Sequence, residues 1–341
     1  MAMEETAGRR RILLAFVATA VLGLLWLAVE EDWLSSPSKH HVLAIYGYSS
    51  LDEVMTQGVF PAFRRQWQEQ TGEKLEFLPT FAGSGEITRR ILDRYPAEIA
   101  IVSSELDAYR LPVPFESWKQ SPHGGLLART PLVIVTRTGN PHAIASFTDL
   151  TQQDISLIHA DPATSGLANL ALIALYHEAV GESGSSEQGR AALADYGSRV
   201  KVQVASAREA HLHFSRGEAD AFITYEQDVV TTPTRPGVDG EILMPVHTLI
   251  VEPVVVRIDK NISVGQRDLV DSFLEYLWSY EGQKILVDYG FRSVSDNPDL
   301  VNPDLATPRE PITLQTLGGA TAVKRTILDP ILRGKLPGVS R

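Results

Sequence analysis

Apolar and polar positions alternate with two periods along most of this chain, and the switches between the periods predict its elements. The first apolar stretch has neither period. Ile12 to Val29 is a continuous uncharged run between Arg9-Arg10-Arg11 and Glu30-Glu31-Asp32. Roughly 18 residues of this kind just suffice to span a bilayer as a helix, and the basic flank marks the cytoplasmic side. The run ends Leu27-Ala28-Val29-Glu30, which lacks the small-x-small site of a cleaved leader. Residues 1–32 are therefore expected to be a signal anchor or signal peptide, with the anchor preferred, and 33–40 a linker.

From residue 42 onward strands and helices alternate. Val42–Tyr46, Lys74–Leu78, Glu98–Val102 and Pro131–Val135 read as strands. Between them lie helical patterns: Val54, Phe60, Phe63 and Trp67 on one face, broken near Pro61, then Ile87, Ile91 and Leu92 after Gly83-Ser84-Gly85. The rhythm restarts with strands Ile155–Ile158, Val200–Val204 and Ala221–Tyr225, and helices over Leu167–His177 and around Ala210 and Phe214. A long extended run, Val251–Ile258, and a helix over Leu269–Tyr289 follow. This order implies an α/β fold with mostly parallel sheets and right-handed crossovers. Two α/β units with a late return imply two lobes flanking a cleft: 41–138 and 251–320 as the first, 139–250 as the second, and 321–341 as a C-terminal tail.

Composition narrows the function. The 341 residues carry 31 Lys and Arg against 42 Asp and Glu, a net charge of −11, which argues against nucleic acid as the main partner. Cysteine is absent, so disulfides, thiolate metal sites and thiol nucleophiles are excluded. No Walker-type phosphate loop is present, and Ala82-Gly83-Ser84-Gly85-Glu86 lacks the spacing of a hydrolase elbow. His211 and His213 fall two apart in a helical pattern and do not share a face, so no metal site or cofactor is expected.

Three strand-to-helix turns hold the chemistry: Gly83-Ser84-Gly85, Thr164-Ser165-Gly166 and Ser206-Ala207-Arg208. Each offers a hydroxyl, free amides and the positive end of a helix. Each taken singly also reads as ordinary helix capping. Together they suit a small buried anion, because charge-assisted hydrogen bonds of about 1.5–3 kcal/mol apiece offset lost hydration without a full counter-charge.

In this order and context the loops resemble the sulfate/thiosulfate-binding proteins of ABC importers, which have the two-lobed type II periplasmic-binding-protein fold. The resemblance also runs through Tyr48, Gly139-Asn140-Pro141, Asp161 to Gly166, Tyr225-Glu226, Glu252-Pro253, Ser279 to Gln283, Phe291-Arg292 and Leu317-Gly318-Gly319. It implies ligand-binding roles for Ser49, Ser84, Ser165, Gly166, Leu167, Ala207 and Tyr225, a tetrahedral oxyanion as cargo and an ABC permease as partner. Ser49 stands where the family has aspartate, Leu167 where it has a second glycine, Asn169 where it has arginine, and Tyr225 and Ala320 where it has tryptophans. Sulfate carries no proton near neutrality and suits an all-donor site, whereas phosphate needs an acceptor; the loss of a carboxylate at Ser49 leans towards sulfate-like anions. The resemblance implies a binding protein and no enzyme. An anchored anion sensor, a phosphate or molybdate binder, and a serine hydrolase using Ser84 or Ser165 with His177 or His211 are the rivals.

Overall fold

A computed structural model describes residues 40–181 and 184–333. The expected N-terminal helix (1–32), nearly all of the linker and the last residues of the tail lie outside the described residues. Among the described residues no helix is long and apolar enough to cross a membrane.

Among the described residues ten strands form two sheets. The first contains β1 (His40–Tyr48), β2 (Lys74–Ala82), β3 (Ile99–Val102) and β10 (Val254–Arg257), in the order β10-β3-β1-β2. β1 runs parallel to β2 and β3, and β10 closes the edge antiparallel to β3. β3 is buried throughout, as a strand covered on both faces must be, while edge strand β2 buries Leu75 and Phe77 and exposes Lys74 and Glu76. The second sheet contains β4 (Thr130–Thr136), β5 (Leu157–Ala160), β6 (Val200–Val204), β7 (Ala221–Tyr225) and β8 (Glu241–Leu243), ordered β6-β5-β7-β4-β8, with β9 (Ile250–Val251) on β4. β5 is parallel to β6 and β7, but β4 is antiparallel to β7 and β8. The sheets are thus more mixed than the βα rhythm implies, because β4, β8 and β10 enter without a crossover helix.

Helices α1 (Phe60–Thr71), α2 (Ser84–Leu92), the short α3 (Glu105–Ala108), α7 (Arg267–Trp278) and α8 (Tyr280–Asp288) go with the first sheet. α4 (Gly166–Val180), α5 (Ser186–Arg199) and α6 (Ala207–Ser215) go with the second. Proline 61 does not break α1: a wide turn, Val54–Val59, precedes it, and Pro61 occupies the first turn, where no amide is needed. The run expected as one helix over Leu269–Tyr289 is two, because Ser279 leaves helical geometry and caps α8 through its hydroxyl to the Gly282 amide. Phe63, Phe77 and Phe273 pack α1, β2 and α7 together, with ring centroids 5.1–6.3 Å apart.

The crossing between lobes differs from the expected one. β4 is hydrogen-bonded into the second sheet, so the chain changes lobes before Thr130 rather than at Gly139. The expected single extended run Val251–Ile258 is broken at Glu252-Pro253, which sends β9 to the second sheet and β10 to the first. The outgoing and returning segments run side by side. Leu126 bridges Val254, the Leu127 amide donates to the Pro253 carbonyl at 2.8 Å, and the Arg129 guanidinium reaches Glu252 at 3.1 Å. A paired two-segment crossing is the geometry of a hinge. Residues 321–333, expected as a tail, are helical and bury Val323, Leu328 and Ile331. They pack on α3 and α4, elements of both lobes. His40, expected in the linker, begins β1 with His41, and His41 bonds Glu73 at 2.9 Å.

Candidate functional site

The three turns singled out in the sequence converge between the lobes. α2 starts at Ser84, α4 at Gly166 and α6 at Ala207, each at the carboxyl end of a strand of its own sheet. Ligands of open α/β sheets bind there, where helix ends present unpaired amides. The first-lobe turn lies directly against the two second-lobe turns. A Cβ on Gly83 would sit 2.3 Å from the Thr164 carbonyl oxygen and 2.9 Å from that of Ala205, so only glycine permits this approach. The Glu86 amide then donates to the Thr164 carbonyl across the cleft at 3.0 Å.

Ser84, Ser165, Gly166 and Tyr225 meet around one spot. A Cβ on Gly166 would fall 3.0 Å from Ser84 Cβ, 2.0 Å from Ser103 Oγ and 2.7 Å from Asp107 Oδ2. Ser84 Oγ accepts from the Ser103 amide at 3.0 Å. Tyr225, at the end of β7, is buried with its ring edge-on to Tyr48 at 5.7 Å, and burial pushes its phenol well above the usual range, so it remains a donor at any ordinary pH. Leu167 and Ala207 are buried in the first turns of α4 and α6. Ser49 is set apart: it opens the turn after β1 and lines the wide outer cleft, about 750 Å³, together with Asp52, Gly83, Thr164, Ser206 and Arg208. All seven expected residues are buried, and Ser84, Ser165, Gly166 and Tyr225 are the ones brought together.

Ser103 and Asp107 were not among the expected residues. The signal was present: Val102 ends an apolar strand, and Ser103-Ser104-Glu105 leads straight into α3, the same strand-to-helix turn as the other three. The Asp107 carboxyl accepts from Ser103 Oγ at 3.3 Å and from Arg110 at 3.2 Å. Burial raises its pKa against the pull of Ser84, Arg110 and Ser103. Both of its oxygens thus have partners within the protein.

Other candidates fall elsewhere. Glu226 is buried beneath Arg292, whose Nη2 lies 2.7 Å from Oε2 and 3.0 Å from Oε1. Asn169 turns away and donates to the Pro162 carbonyl at 3.0 Å. His213 pairs with Glu218 at 2.7 Å, while His211 lines the cleft with its pKa lowered by burial and by Arg235 and Arg208. Among the described residues neither Ser84 nor Ser165 bonds an imidazole, and no cluster of metal-ligating side chains occurs. Trp278 packs and donates to the Leu126 carbonyl, and Tyr280 is half-exposed.

The profile of the bacterial extracellular solute-binding proteins matches residues 43–292. The chain belongs to that family. Over 331 residues, 94% of each chain, it is 27% identical to a sulfate-binding protein of Synechococcus elongatus. It is 24% identical over 249 residues, 71% of this chain and 74% of the other, to a thiosulfate-binding protein of Pseudomonas aeruginosa. Among solved structures, the sulfate-binding protein SubI of Mycobacterium tuberculosis superposes with a TM-score of 0.75 at 24% identity, covering 84% of this chain and 99% of that one. A periplasmic thiamin-binding protein superposes at 0.67 and 15% identity over 89% and 99%. Such likenesses establish the two-lobed α/β fold of this solute-binding protein.

Proposed function

We propose that this solute-binding protein captures a tetrahedral oxyanion, sulfate-like before phosphate-like, between its lobes and delivers it to an ABC permease. The observation that carries the reading is the convergence of three helix starts, with Ser84, Ser165 and Tyr225 as hydroxyl donors and Gly166, Leu167 and Ala207 as amide donors. An anion held this way is stabilised by dipoles already fixed in the fold, and closure strengthens them by excluding water. The sulfate- and thiosulfate-binding relatives support this cargo class. The basic-flanked run at 12–29 supports tethering on the outer face of the cytoplasmic membrane. Leu126–Thr130 and Ile250–Val254 would serve as the hinge.

Calorimetric titration of the ligand-stripped protein with sulfate, thiosulfate, phosphate, molybdate and tungstate tests this. Micromolar or tighter binding of one of them, weakened about 10–100-fold by Ser165→Ala, is the expected outcome. Silence across the panel removes the oxyanion assignment.

A further inference from the structure

Beside the outer cleft lies a smaller cavity of about 90 Å³, whose lining includes none of the helix-start donors. Ser50, Glu53, Gln227, Asp228, Tyr289 and Phe291 line it, and it shares Ser49, Arg208 and His211 with the outer cleft. One water needs about 10–15 Å³ measured this way, so the space holds a group of several heavy atoms. Asp228 links it to the inner residues by geometry: its carboxylate accepts from Ser50, two positions after Tyr48, and from Thr224, next to Tyr225, and the Tyr48 and Tyr225 rings lie 5.7 Å apart.

The polar accounting of this cavity is uneven. Gln227 is 2% exposed, and neither its amide nitrogen nor its amide oxygen has a hydrogen-bond partner among the described residues. The Tyr48 hydroxyl is likewise buried without a partner. Buried polar groups of folded proteins are ordinarily hydrogen-bonded, so a built pocket implies something that satisfies these. The cations on its wall are already matched: Arg208 with Asp52 at 2.7 Å and Arg235 with Glu53 at 2.9 Å. Asp228 is not. It accepts from Ser50 Oγ at 2.7 Å and Thr224 Oγ1 at 3.3 Å and forms no ion pair among the described residues. His211 is held towards its neutral form by burial and by the two arginines. The wall therefore offers one surplus carboxylate, one free amide and two aromatic rings.

From this we infer that the cleft accepts an oxyanion carrying a short cationic substituent, of the aminoalkyl sulfonate class, with its ammonium group on Asp228 and Gln227. The inference rests on the oxyanion reading above. The sulfonate would occupy the helix-start donors, two carbons would cross beside Tyr289 and Phe291, and the ammonium would donate to the Asp228 carboxylate and the Gln227 carbonyl.

Titration of the full chain with sulfate, ethanesulfonate and 2-aminoethanesulfonate tests it, alongside Gln227→Leu. The expected result is that 2-aminoethanesulfonate binds at least about ten-fold more tightly than ethanesulfonate, and that Gln227→Leu removes most of that margin while sulfate shifts less than about two-fold. Asp228→Asn gives an independent check by abolishing the preference for the amino group. Sulfate binding with no preference for the aminosulfonate overturns this inference alone. An equal loss for all three anions in Gln227→Leu overturns it as well. Binding of none of them overturns the oxyanion reading and this inference together.

Discussion

Where α2, α4 and α6 begin, the cleft is lined by hydroxyls, amides and a glycine that admits no side chain. A turn away, on the rim, Ser50 to Glu53 of the first lobe meets the second lobe through full charges. Asp52 pairs with Arg208, Glu53 with Arg235, Thr232 and Thr234, and Ser50 with Asp228. The inner region suits a dianion because its donors are neutral and fixed, so no counter-charge has to be desolvated. The rim suits closure, because its pairs join residues of opposite lobes, and the exposed Arg208–Asp52 pair is worth little alone. The proposed division of labour is that neutral dipoles hold the anion and charges hold the lobes.

The largest expected effect lies outside both regions. Arg292→Met strands Glu226 as a buried unpaired carboxylate, and about 3–5 kcal/mol of stability should be lost in urea unfolding. Next comes Gly166→Ala. Its methyl group would strike Ser103 Oγ and Asp107, costing about 1–3 kcal/mol and displacing the donors, so anion binding should vanish in calorimetry while the chain still folds. Retained binding would break the inner half of the comparison.

A third prediction concerns pH. Burial raises the Asp228 carboxyl to about 6, against the pull of Ser50, Arg235, Thr224 and Arg208. The folded, closed form then binds its proton more tightly than the unfolded chain. Stability should therefore fall as pH rises from about 4 through about 6, by about 2 kcal/mol, since the cavity still gives this group some solvent access. His159, buried against Tyr196 at 3.0 Å with its pKa lowered to about 4, has the opposite sign: its contribution is full above about 6.5 and is lost as pH falls towards 4. Urea midpoints of Asp228→Asn and His159→Gln across this window should separate the two slopes. The smallest effect belongs to Arg208→Ala. The Arg208–Asp52 pair is exposed, so stability should change by less than about 1 kcal/mol, and anion affinity by a few-fold at low salt and less at high salt.

Much of this arrangement was legible in the sequence. Apolar runs marked β1, β3, β4 and β7, and serine-bearing turns marked the three helix starts, because strand burial and helix capping are local properties. The lobe boundary was not legible. Thr130 to Thr136 is equally apolar whichever sheet it joins, and only its hydrogen bonds to β7 decide. The break at Glu252-Pro253 was likewise hidden inside an extended run. Asp107 escaped notice because an acidic residue in a short helix ordinarily faces solvent; its burial depends on Gly166 arriving from the other lobe. The rim pairs join residues more than 150 positions apart, beyond any local pattern.

The most direct test of the division of labour is a crystal structure of the protein grown with sulfate. The account predicts the anion within hydrogen-bond distance of Ser84 Oγ, Ser165 Oγ and the Gly166 and Ala207 amides, with Arg208 and Arg235 still paired to Asp52 and Glu53 and out of its reach. An anion seated on either guanidinium, with its carboxylate partner displaced, would contradict it.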